Sequence, residues 1–155
     1  MESIIIMGVL NNLLVIIKSP NFYVPIILAG ILIVVGNLYQ STVQAKMKTV
    51  LFHYAGIHLD WWSVTHILLY IYFGYHFPDY FVEFLIIGTS WEIVESVMCK
   101  DSVQSLIKCD NLDSLICQII SKIKGCDYWY GKLDDIVMNM FGFLIGAWLS
   151  KKFKK

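Results

Sequence analysis

The sequence predicts an all-α fold, a polytopic membrane bundle of about four spanning helices, and three observations predict it. The 155-residue chain is 57% hydrophobic and only 15% charged, with a mean hydropathy of +0.64. That composition exceeds what a soluble core needs. Its apolar runs approach the ~20 residues that a bilayer requires. The few ionisable residues inside those runs recur at helical spacing, as in Glu92 and Glu95 or Asp135 and Asn139.

Taken in order, Ser3–Ile17 is apolar but interrupted by Asn11-Asn12, and reads as an interfacial or partly inserted helix. Met1-Glu2 lacks a basic start and no small-residue cleavage site follows, so the segment does not read as a signal peptide. Pro20 and Pro25 punctuate the stretch before the next helix, with Ser19 or Asn21 as its cap. Phe22–Leu38 is a spanning helix with Ala29-Gly30 and Gly36 as close-packing points. Tyr39–Asp60 reads as a connector, and its Thr49–Ile57 piece as lying in the interface.

Asp60-Trp61-Trp62 opens the next span, Trp62–Phe77, in the manner of an aromatic belt. Pro78-Asp79 is a tight turn, so Tyr80–Met98 returns antiparallel, with Glu83 near the tip and able to reach the interface. Lys100–Lys132 is a polar loop insertion holding an amphipathic surface helix, Leu112–Ile123. Leu133–Leu149 is the last span, before a Lys151-Lys152-Phe153-Lys154-Lys155 tail. The whole chain is one integral membrane domain, with a motif-bearing core over 60–149. The basic tail places the C-terminus in the cytoplasm, although the loop on the other side carries five lysines.

Charge narrows the function. Net charge is zero, so nothing points to nucleic acid. All twelve basic residues are lysine, so the bidentate arginine fork for phosphate is unavailable. Cys99, Cys109, Cys117 and Cys126 match no zinc module, and their disulfide state stays open.

The antiparallel order brings His66, Glu92, Glu95, Asp134, Asp135 and Asn139 to similar depth, within about 10 Å of one membrane surface at ~1.5 Å per residue. His66, Tyr70 and Gly74 form one stripe, and Asp135, Asn139, Gly142 and Gly146 another. The glycines read as packing residues. Ionised carboxylates in hydrocarbon cost several kcal/mol unless compensated, on the order that marks a functional site. Carboxylates with an Asn carbonyl suit Ca²⁺, Mg²⁺ or Mn²⁺. A histidine beside such an ion could act as general base or as a nucleophile on phosphorus. Tyr128-Trp129-Tyr130-Gly131 suits a headgroup-level lid, and Tyr70, Trp91, Tyr130 and Lys132 are candidate substrate contacts.

Asp60-x5-His66-x3-Tyr70, Trp91-Glu92-x2-Glu95 and Asp134-Asp135-Ile136-x2-Asn139-x2-Gly142-x3-Gly146 together resemble the VanZ-like membrane proteins. The Trp-Glu-x-x-Glu core with Thr65-His66 upstream is also similar to base-exchange phosphatidylserine synthases. The second resemblance implies a calcium-dependent transferase in which L-serine replaces choline or ethanolamine on a membrane phospholipid. His66 would then be catalytic base or nucleophile. Glu92, Glu95 and one aspartate would hold the metal; synthase-like spacing to Asn139 selects Asp134, VanZ-like spacing Asp135. This chain is far shorter than those synthases. Two other readings are a non-catalytic VanZ-like protein that binds a lipid or polar ligand, and a structural membrane protein, as a homo-oligomer, whose carboxylates only pair with lysines.

Overall fold

The computed structural model describes residues 2–54, 57–98, 100 and 133–154. The chain is mostly helical. Its elements are α1 (Glu2–Lys18), α2 (Pro20–Leu38), α3 (Gln40–Met47), β1 (Val50–Tyr54), β2 (Ile57–Asp60), α4 (Trp61–His76), α5 (Phe81–Met98) and α6 (Leu133–Phe153). The four cysteines, the amphipathic segment Leu112–Ile123, the 128–131 aromatic run and Lys132 lie outside the described residues.

Helix α6 has 21 residues and is long and apolar enough to cross a membrane. Helices α1 and α2 meet that measure only together, and they bend by 67° where Ser19 separates them. Ser19 is the cap position of α2, but its side chain makes no capping bond. Pro20 takes the first helical position, where its missing N–H costs nothing. Pro25, expected between helices, lies inside α2.

Three helices build the centre. The glycine stripes bring α4 and α6 into backbone contact. A Cβ on Gly142 would sit 2.6 Å from the Ile67 carbonyl oxygen, and one on Gly146 or Gly74 would collide with the Ile71 or Phe143 carbonyl. Residue 67 meets 142 and residue 71 meets 146, so α4 and α6 run parallel. Helix α5 runs opposite to both after the turn at 78–79. Beneath the polar end, Phe73, Phe77, Phe84 and Phe143 form a buried aromatic cluster, with Phe73 and Phe84 centroids 4.8 Å apart. Helix α2 adds Phe22, 5.6 Å from Phe73, and α1 adds the fully buried Ile16.

Two expectations are corrected here. The 39–60 stretch is not a plain connector: it holds α3 and an antiparallel hairpin in which His53 pairs with His58. Val50, Phe52 and Ile57 are β-prone residues either side of Ala55-Gly56, and the two strands pair with each other. The opposed His53 and His58 rings stack with centroids 4.1 Å apart. Glu83 turns inward and not out from the hairpin tip. It is 4% exposed and accepts a 2.7 Å hydrogen bond from Asn12 Nδ2. A buried carboxylate needs a donor, and the asparagine that interrupts the apolar run of α1 supplies it.

Candidate metal centre

Strand β2 ends on Asp60, which is also the N-cap of α4. Its Oδ1 accepts the Ser63 backbone N–H at 2.9 Å, satisfying one of the helix's open donors. Ser63 then turns its hydroxyl to the last helix: Oγ lies 3.1 Å from Asp60 Oδ1 and 2.9 Å from Asp135 Oδ1. One hydroxyl hydrogen serves one of these oxygens at a time. The contact holds the Asp135 carboxylate at the first turn of α6, where the helix dipole favours negative charge.

His66 lies one turn further along α4. Its Nδ1 is 3.1 Å from Asn139 Oδ1. A carbonyl oxygen only accepts, so Nδ1 carries the hydrogen and Nε2 of the neutral ring keeps its lone pair. From the opposite direction, α5 contributes Glu92. One ligand atom each from His66, Glu92 and Asp135 lie within 4.8 Å of one another. Glu92 is 4% exposed and Asp135 5%. Two carboxylates that deep need a compensating charge or proton. Two carboxylate oxygens at this separation fit around one divalent ion, whose bonds to such atoms run about 2.0–2.6 Å, with the imidazole at its edge.

The remaining candidates fall elsewhere. Glu95 is half-buried one turn nearer the end of α5 and is not among the three clustered residues. Asp134 faces the hairpin, where its Oδ2 accepts the His58 N–H at 3.2 Å. Asn139 is 3% exposed and spends its oxygen on His66. Tyr70 is buried, and its hydroxyl donates to the Phe84 carbonyl at 3.4 Å. Trp91 is 39% exposed on the outer side of α5. Tyr130 and Lys132 are outside the described residues. Ser63 had no part in the sequence-level site; its signal was the Asp60-x-x-Ser63 capping spacing ahead of an apolar helix.

Comparison with family models, curated proteins and solved structures finds no match to this chain.

Proposed function

We propose that this chain is a multi-pass membrane enzyme that exchanges phospholipid headgroups beside a divalent cation held by Glu92 and Asp135. The observation that carries this reading is the cluster itself. Three helices bring His66, Glu92 and Asp135 within 4.8 Å, and both carboxylates are buried. The bilayer setting is supported by α6 and by apolar side chains more than half exposed along the outer faces of α1, α2 and α6, among them Leu10, Leu32, Leu144 and Trp148. Lys152 stacks over Trp148 at 4.9 Å, as an interfacial lysine and tryptophan do. The lysine-rich end would face the cytoplasm.

The bound ion would offset the negative charge of the phosphodiester. Calcium is the ion that the synthase resemblance implies; manganese is held by carboxylate oxygens as well. His66 works at its edge. Its Nδ1–H is anchored on Asn139, so Nε2 is free to take the proton from the hydroxyl of L-serine. The serine oxygen forms a bond to phosphorus as the bond to the choline or ethanolamine oxygen breaks. The leaving oxygen then recovers the proton from Nε2. Ser63 and Asn139 position Asp135 and His66 respectively, and neither touches the reacting atoms.

The test is an exchange assay. Purified protein in phosphatidylcholine vesicles, given labelled L-serine and Ca²⁺ or Mn²⁺, should form labelled phosphatidylserine and release choline in equal amount. Chelation should stop both. Cation binding with no exchange for serine, choline or ethanolamine would discard the enzyme in favour of a lipid-binding protein.

A further inference from the structure

The Asn139 side chain decides which nitrogen of His66 can take a proton. Its Oδ1 lies 3.1 Å from His66 Nδ1, which keeps the ring hydrogen there and the lone pair on Nε2. Turned over, the same amide would donate Nδ2–H to Nδ1, and the ring hydrogen would move to Nε2, where no proton could then be accepted. A bond to His66 alone fits either arrangement, so a group on the far side of the amide has to choose. Asn139 is 3% exposed, and its buried Nδ2 has no hydrogen-bond partner among the described residues. Beside it, Gly88 of α5 leaves a narrow space. A Cβ there would lie 2.6 Å from the Tyr70 hydroxyl and 3.2 Å from Asn139 Nδ2, so both polar atoms border one point. Tyr70, Gly88, Thr89 and Asn139 share the lining of a cavity of about 10 Å³, the room that one water needs.

We propose that one buried water joins Asn139 Nδ2 to the Tyr70 hydroxyl, and that Tyr70 is thereby the positioning residue that fixes the tautomer of His66. Its effect on exchange rests on the reading of His66 as the base; the hydrogen-bond chain itself does not. Nδ2 and the Tyr70 hydroxyl make no direct bond, and a short polar gap between two buried groups is where a water bridges. The direction of the chain follows from its far end. The Phe84 carbonyl can only accept, and the Tyr70 hydroxyl donates to it at 3.4 Å. A hydroxyl that has spent its one hydrogen accepts from the water. A water that donates to Tyr70 and accepts from Nδ2–H sits in a head-to-tail chain, in which each bond strengthens the next. Donating to both sides would leave its lone pairs unmet. With Nδ2 turned to the water, Oδ1 is turned to His66, and Nδ1 carries the hydrogen. A backbone carbonyl of α5 thus sets the proton acceptor on α4.

Ring-¹⁵N histidine in the full-length protein in micelles reports the tautomer without relying on turnover, at alkaline pH where imidazole is neutral. The His66 signal is identified by its loss in His66→Gln. The parent should carry the hydrogen on Nδ1. Tyr70→Phe keeps the ring against Phe73 and Phe84 and removes only the hydroxyl. It should shift the tautomer ratio toward Nε2–H by about tenfold, the worth of one hydrogen bond. Exchange should fall through kcat, with the KM for lipid unchanged. Gly88→Ala closes the space from the other wall and should shift the tautomer the same way, which covers the case in which Tyr70→Phe fails to fold. A parent with the hydrogen on Nε2, or variants that keep the parent tautomer, overturns the proposal. A shifted tautomer with exchange unchanged keeps the chain and discards His66 as the base; a shifted tautomer in a protein that performs no exchange keeps the chain and discards the reaction.

Discussion

Gly146→Leu is expected to abolish the native bundle. At that position α4 and α6 touch through their backbones, and any Cβ would strike the Ile71 carbonyl. A flexible side chain could move aside, but a helical carbonyl cannot move without shifting its helix. Forcing α4 and α6 apart also loosens the Phe73, Phe84 and Phe143 cluster and separates His66 from Asp135. Overpacking alone costs about 3 kcal/mol or more where no neighbour can give. Set against total stabilities of roughly 5–15 kcal/mol, that is a large fraction. Gly30→Leu is the control, since nothing lies within 4 Å of a Cβ there. Thermal unfolding in detergent, followed by near-ultraviolet dichroism, should show Gly146→Leu without a cooperative transition and Gly30→Leu close to the parent.

His66→Ala should remove headgroup exchange while sparing cation binding. A positioned general base contributes roughly 10²–10⁴ in rate, so exchange should fall by about a thousandfold. The ring is half-buried and bonds to Asn139, whose oxygen then loses its donor. Stability should drop by about 1–3 kcal/mol, short of unfolding. His66→Gln keeps an amide donor for Asn139 but supplies no base. It should recover stability and not activity, which separates proton transfer from packing. Full exchange activity in both variants would leave His66 with a positioning role only.

The two glycine stripes were legible because close helix packing writes itself into spacing: Gly74 falls in step with His66 and Tyr70, Gly142 and Gly146 with Asn139. The turn at Pro78-Asp79 was legible for the same local reason, and it sets α5 antiparallel so that Glu92 approaches His66. The choice between neighbours was not legible. Asp134 and Asp135 differ by one position, about 100° around a helix, and only the packing of α6 shows Asp135 turned to Ser63 while Asp134 meets the hairpin. Glu92 and Glu95 share a helical face, yet three residues carry Glu95 ~4.5 Å toward the end of α5. The hairpin escaped because its strands are four and five residues long and place histidines among the apolar positions. The Asn12–Glu83 bond joins residues 71 apart, and nothing local announces it.

Manganese binding read by electron paramagnetic resonance tests the cation site most directly. Free Mn²⁺ gives a sharp six-line signal that fades on binding, so a titration counts sites without any assumption about the reaction. The parent protein should take up one Mn²⁺ per chain. Glu92→Gln and Asp135→Asn should each lose it, because each removes a buried anionic ligand. Glu95→Gln and Asp134→Asn should bind within about threefold of the parent, a difference under 1 kcal/mol. A parent that binds no Mn²⁺ or Ca²⁺, or Glu92→Gln and Asp135→Asn variants that bind as the parent does, would contradict a cation held by Glu92 and Asp135.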